Sequence, residues 1–416
     1  MSRPDFRSGG CAFTRKGDTM LGHEEPLYFT ARRLSLLNVK NKHRKGNIMY
    51  QQENRLFNSI ELSKKTWRLC FGDGKQERQR SIPAIAIKEL LEEIAKAKAK
   101  FGMSPDTPVL CCYEAGRDGF WIARMLHQNG IACVIMDPAS IEVSRRARHR
   151  KTDRLDASRL LKLLLRAELW GETKVFSRVE IPSEEQEARM RIGRERERLI
   201  KERTGHCARM RSLCALHGIN IGNPSRINVD ELRDWAGQAL PAEVASELRH
   251  EQERLRTVGE QLRDIEHEQT TALKQAVRVT DAKAHKLYRL KAVGLQSSWL
   301  ISHEAFGWRH FRNCKAIGSF AGLTGTPFDS GETLREQGIS KAGSRRVRTA
   351  MIELAWLWVR HQPRSALTQW FVNNYVIAGT SRAKRKGIVA LARKLLVALW
   401  KYVEQDVIPE GALFKA

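Results

Sequence analysis

Two uninterrupted apolar runs, Val109–Tyr113 and Ile131–Met136, do most to constrain how this chain folds. A strand with no polar face must be covered on both sides, as the inner strands of a parallel sheet are by flanking helices. The neighbouring sequence supplies partners for such a sheet. Leu56–Leu62 and Thr66–Phe71 read as strands joined by the polar turn Ser63-Lys64-Lys65, a hairpin pattern. Pro83–Phe101 reads as a helix whose apolar face is Ile87, Leu90, Leu91 and Ile94. Gly119–Asn129 reads as a second helix, closed by Gly130, and Pro138 stops the strand that follows. Thr152 is placed to cap a third helix reaching about Ala167.

Hairpin, helix, strand, helix, strand, helix is the order of an RNase H-like sheet, so the class expected is α/β plus α, with that domain over 51–180. Past Pro182 the composition changes. Residues 184–217 and 242–276 are dense in Glu and Arg and poor in strand formers, so 181–284 is expected to be a long helical linker or coiled coil. A dimerisation arm and a solvated spacer both fit it. Residues 285–416 hold two Gly-rich turns, a basic patch and helices near 347–360 and 386–404, a third and mostly helical domain. Residues 1–50 are basic and aperiodic. They read as a disordered arm or as sequence upstream of a mis-assigned start, with Met49 an alternative initiator.

Charge narrows the partners. The 416 residues carry 73 Lys and Arg against 47 Asp and Glu, a formal charge of +26. Such an excess favours polyanions through counterion release, and nucleic acid is the favoured one. No run reaches the ~20 apolar residues of a membrane span; Ile388–Trp400 is broken by Arg393 and Lys394. With no signal peptide visible, a cytoplasmic protein is expected, at the nucleoid when acting. The 8 cysteines include no CxxC pair. Cys207 and Cys214, flanked by His206 and His217, lack the spacing of a tetrahedral zinc site and read as ordinary helical thiols.

Four carboxylates stand out by position. Glu61 lies in the first strand, Glu114 ends the strand begun by Val109, and Asp153 and Asp156 share one helix face. Strand carboxyl ends deliver side chains to a common edge. Each acid alone reads as a surface residue, but the set would repel itself unless divalent cations bound it. Carboxylates suit Mg²⁺ or Mn²⁺, and two such ions ~3.5–4 Å apart serve phosphodiester chemistry. Arg145, Arg146, Arg148, Arg150, Lys151 and Arg154 surround the Asp pair with cations fitted to phosphates.

These residues resemble the DEDD-type insertion-sequence transposases, the insertion-sequence one-ten and eleven-eleven group. The likeness lies in Asn58–Thr66, Tyr113-Glu114-Ala115-Gly116, Gly130–Pro138 and, most specifically, Lys151-Thr152-Asp153-Arg154-Leu155-Asp156-Ala157. It runs from about residue 55 to 400. The resemblance implies that Glu61, Glu114, Asp153 and Asp156 are metal ligands, with Glu61 standing where the family usually has Asp. Leu290-Lys291-Ala292-Val293-Gly294-Leu295 resembles a helix-hairpin-helix turn, with Ala292 at the usual first Gly. Phe320–Gly325, Asp329-Ser330-Gly331-Glu332 and Ile339–Arg348 match the family's second catalytic domain, where the Ser of the Ser-Gly pair, here Ser330, is the recombination nucleophile. Lys341, Arg345, Arg346 and Arg348 are expected to contact phosphate.

The function this implies is a DNA transposase or recombinase that cuts and rejoins strands with a Mg²⁺-bound acidic cluster and Ser330. The resemblance adds a structured guide RNA. Catalytic halves separated by a helical arm point to a homo-oligomer, a dimer or tetramer. A RuvC-like metal-dependent endonuclease and a catalytically silent nucleic-acid-binding protein are the alternatives.

Overall fold

The two apolar runs lie at the centre of the sheet they require. A computed structural model of the chain describes residues 54–116, 118–141, 153–330, 333–377 and 379–415, with the backbone alone at 139, 153–155, 327–330 and 333–337. The expectations for residues 1–50, for Thr152 and for the run from Arg145 to Lys151 fall outside them. The sheet is built from β1 (Leu56–Leu62), β2 (Thr66–Gly72) and β3 (Glu77–Pro83), then, after α1 (Ile87–Lys100), β4 (Val109–Glu114). Next come α2 (Trp121–Gln128), β5 (Ala132–Met136), α3 (Asp153–Leu169) and the short β6 (Arg178–Val179). Its strand order is β3-β2-β1-β4-β5-β6. β1, β2 and β3 form an antiparallel meander, and β1, β4 and β5 run parallel.

Period-two alternation divides the buried side chains between two faces. Leu56, Ile60, Cys111, Tyr113 and Ile135 pack against Leu90 and Ile94 of α1 and Ile122 and Leu126 of α2. Phe57, Leu110, Cys112, Val134 and Met136 pack against Ala157, Leu160, Leu161 and Leu164 of α3. β3 was not expected from the sequence, and the helix starts at Ile87 rather than Pro83. An edge strand needs few apolar residues, and β3 buries only Arg78 and Ile82. Arg78 hides the pattern because its charge is met by Glu93 of α1 at 2.8 Å.

Ser183 and Gln186 form a reciprocal cap at the start of α4 (Glu184–Leu216), which pairs with α5 (Ala242–Gln275). The buried positions Leu248, Glu251, Leu255, Val258, Leu262, Ile265 and Gln269 of α5 alternate three- and four-residue steps, the spacing of a coiled-coil seam. Two of those positions are polar. Glu251 is satisfied by His206, Arg209 and Arg254 at 2.6, 3.0 and 2.6 Å. Gln269 accepts from Gln296 at 2.8 Å. Thus His206 hydrogen-bonds Glu251, and Cys214 lies in the apolar core of the helix pair.

The rest is mostly helical: α6 (Val279–Tyr288), α7 (Leu295–Ile301), α8 (Cys314–Phe320), α9 (Arg345–His361), α10 (Ala366–Phe371) and α11 (Ser381–Gln405). Met351, Leu354 and Trp358 of α9 meet Leu391, Leu395 and Leu399 of α11 in one core. Between α8 and α9 stands an antiparallel hairpin, β7 (Gly325–Ser330) and β8 (Thr333–Ile339), where the sequence suggested only turns. Gly325, Pro327, Gly331 and Gly338 hide the strand signal there. Residues 289–294 join α6 to α7, with Ala292 at φ 80° and Gly294 capping α7. The N–H groups of Lys291 and Val293 donate to Leu413 and Leu290 carbonyls. No helix among the described residues is long and apolar enough to cross a membrane.

Candidate active site

β1 and β4 are parallel neighbours with Ile60 opposite Tyr113, so the next residues, Glu61 and Glu114, stand side by side at the carboxyl ends of two central strands. Ile60 and Tyr113 point into the core shared with α1 and α2. Alternation therefore turns Glu61 and Glu114 to the other face, the one α3 covers.

α3 is tied to that face two residues back along each strand. The Ser59 hydroxyl donates to the Ala157 carbonyl at 2.5 Å, and the Cys112 thiol lies 3.8 Å from the Leu160 carbonyl. Ser59 and Cys112 are both fully buried, which makes these tethers costly to lose. Burial pushes the Cys112 thiol's pKa well above its usual value, so it acts as an uncharged packing group. Asp156, adjacent to Ala157, is thereby carried to the carboxyl edge of the strands.

Glu61, Glu114 and Asp156 line one cleft of about 430 Å³. Asp153 begins α3 one turn earlier, its backbone on the same helix face. The sequence reading did not single out Asp118 or Arg159, which also line the cleft. Arg159 could have been found as the residue one turn beyond Asp156; Asp118 lies in a turn without periodicity. Among the described residues no three His, Cys, Asp or Glu side chains gather tightly enough to hold a metal ion. Glu61, Glu114, Asp118 and Asp156 share the cleft without closing into a cage. Their hard oxygen donors are of the kind that Mg²⁺ takes.

The other expected residues lie in the C-terminal half. Ser330 ends β7 opposite Thr333, at the tip of the hairpin. The two Gly-bearing segments at its base interlock through backbone hydrogen bonds: Ser340 to Thr324, Lys341 to Gly322 and Ser344 to Phe320, at 2.8, 3.1 and 2.7 Å. A β-carbon on Gly343, whose φ is 111°, would come 2.2 Å from the Phe320 carbonyl. That close approach requires glycine. Lys341 and Arg345 are exposed. Arg346 pairs with Glu197 of α4 at 2.8 Å, and Arg348 donates to the Ala321 and Lys341 carbonyls, both at 3.1 Å. Arg154 lies on α3, described by its backbone alone; Arg148, Arg150 and Lys151 are outside the described residues.

Comparison with known proteins gives the family. Residues 284–369 match the family model "Transposase IS116/IS110/IS902 family". Over 376 residues, 86% of this chain and 94% of the other, the sequence is 38% identical to a Sinorhizobium fredii (strain NBRC 101917 / NGR234) protein named as transposase y4rJ. A second protein of that strain, named as transposase y4qE, is 28% identical over 62% of this chain and 60% of its own length. A Pseudomonas aeruginosa PAO1 protein named as a family 20 transposase is 25% identical over 55% of this chain and 67% of its own. With identity of this level spanning nearly all of a curated relative, the chain belongs to the IS116/IS110/IS902 family of insertion-sequence transposases.

Proposed function

We propose that this transposase cuts and rejoins DNA strands with an acidic, metal-binding cleft on an RNase H/RuvC-like domain and a serine nucleophile at Ser330. The single observation that carries the reading is that Glu61, Glu114 and Asp156, distant in sequence, line one cleft. The antiparallel meander continued by two parallel strands supports the RNase H-like assignment. Asp153 completes the set from the same face of α3.

Mg²⁺ or Mn²⁺, when bound, would supply charge neutralisation for the scissile phosphate. Glu61 and Glu114 would hold it from the strand ends, and Asp153 and Asp156 from α3. Ser330 Oγ attacks phosphorus, an Oγ–P bond forms and the bond from phosphorus to one sugar oxygen breaks. The serine proton passes to a base, and the departing sugar oxygen takes up a proton. A second strand's hydroxyl then reverses the exchange, which conserves the phosphodiester without an external energy source. Lys341, Arg345, Arg346 and Arg348, beside the hairpin base, together with Arg148, Arg150, Lys151 and Arg154, supply phosphate contacts.

A structured guide RNA and a dimer or tetramer are part of the same reading, and the +26 charge supports a second polyanion. Denaturing electrophoresis of reactions with Mg²⁺ and labelled element-end DNA tests the chemistry. A protein–DNA adduct is expected with the wild type and absent from Ser330→Ala. Cleavage without any adduct, undiminished in Ser330→Ala, would leave a plain endonuclease.

A further inference from the structure

We infer that the cavity between residues 306–311 and α11 receives one unpaired nucleobase of the bound nucleic acid, a site separate from the acidic cleft. The inference rests on the nucleic-acid function proposed above. The cavity measures about 180 Å³ and is walled by Trp308, Phe311 and Trp400, with Lys283, Arg309 and Glu404 among its lining residues. At ~30 Å³ per water it has room for about six waters, enough for a planar ring but not for a ring with its sugar and phosphate.

Each wall has a matching role. Phe311 and Trp400 are only half-buried, and aromatic faces stack on any base regardless of sequence. The Arg309 guanidinium is clamped between Trp308 and Phe320, 4.0 and 4.6 Å from the ring centroids. Its Nε is buried without a hydrogen-bond partner. Burial pulls the Arg309 pKa down to about 10 against the opposing pull of Glu180, Glu304 and Asp137. Arg309 lines the cavity, where its charge can face the phosphate that follows a captured base. Lys283 Nζ donates to Glu404 at 2.7 Å and to the Phe306 carbonyl at 2.8 Å, fixing a cation and a carboxylate beside the cavity. Base edges carry amino donors and ring or carbonyl acceptors for such groups.

The proposed strand chemistry leaves these residues unused. Capture of one base favours unpaired over duplex nucleic acid, because a base already out of the stack costs nothing to extract.

Full-length protein is titrated against single-stranded DNA and single-stranded RNA of one sequence carrying 2-aminopurine, and against a duplex of that sequence. Wild type is expected to quench 2-aminopurine in at least one single-stranded probe, and which one identifies the polymer. Trp400→Leu and Phe311→Leu should abolish the quench and weaken single-strand binding about tenfold, the loss of one base–aromatic stack. Duplex binding should stay unchanged; both rings also pack against the C-terminal core, so Tm should fall modestly while the fold is kept. Glu404→Gln, on the polar side of the cavity, should weaken single-strand binding without touching duplex binding. Quenching that persists in both leucine variants, or single-strand affinity unchanged in all three, overturns the inference. A wild type that forms the Ser330 adduct yet never quenches the probe overturns this inference alone; one that binds neither single strand nor duplex removes the proposed function as well.

Discussion

Ser59 on β1 donates a 2.5 Å hydrogen bond to the Ala157 carbonyl on α3, joining the strand that carries Glu61 to the helix that carries Asp156. Removing the hydroxyl costs one buried hydrogen bond to a carbonyl that the α3 ladder still engages, a loss of about 0.5–1.5 kcal/mol. Ser59→Ala is expected to lower stability in urea by that amount and to raise the Mn²⁺ concentration needed for DNA cleavage. Unchanged metal dependence would show that the tether does not position Asp156.

Glu61 is one methylene longer than the aspartate the resemblance places there. Glu61→Gln keeps size and removes charge, and should reduce cleavage on the order of a hundredfold, the scale of losing one charge-stabilising group at a reacting centre. Glu61→Asp should retain activity. Single-turnover cleavage rates at saturating Mg²⁺ separate the two; equal rates for Gln and wild type would remove Glu61 from the site.

Glu251, inside the α4–α5 seam, gives the middle region an acid-sensitive joint. Burial acts to raise its pKa, but hydrogen bonds from His206, Arg209 and Arg254 outweigh burial and hold it below the ordinary carboxylate value. A depressed pKa contributes stability that is present above the unfolded value, about 4.3, and is lost as pH falls through the folded one. Glu251→Gln should cost about 2 kcal/mol at pH 7, less than a fully buried pair because Arg209 and Arg254 are half exposed. Urea unfolding from pH 7 to pH 3 should show a shallower acid decline in the variant than in wild type.

Lys341 and Arg345 are exposed beside the base of the β7–β8 hairpin. Replacing either with Ala should weaken DNA binding evenly across sequences and reduce the slope of log affinity against log salt by about 1. Fluorescence anisotropy at several salt concentrations reads this. A sequence-selective loss would mean base contact instead.

The parts of the fold legible in the sequence were those with a periodic cause. The runs ending at Tyr113 and Met136 read as covered strands and are β4 and β5, and the Glu- and Arg-dense stretches became α4 and α5. β3 was hidden because Arg78 occupies a buried position through its pairing with Glu93, a contact that spacing does not reveal. β7 and β8 were hidden by glycines and a proline that the hairpin tolerates. In the cleft, Glu61, Glu114 and Asp156 were legible from strand ends and helix spacing, whereas Asp118 is brought there by the chain's path through a turn. The engagement of Arg346 with Glu197 depends on how α9 meets α4, which no local pattern encodes.

Anomalous diffraction from crystals soaked in Mn²⁺ tests most directly whether the acidic side chains gather a metal. Peaks are expected in the cleft, with carboxylate oxygens of Glu61, Glu114, Asp153 and Asp156 at about 2.0–2.2 Å, near the octahedral metal–oxygen distance of Mg²⁺. They should disappear in Asp156→Asn. An empty cleft at saturating Mn²⁺, in a protein that still forms its DNA adduct, would contradict the shared metal site.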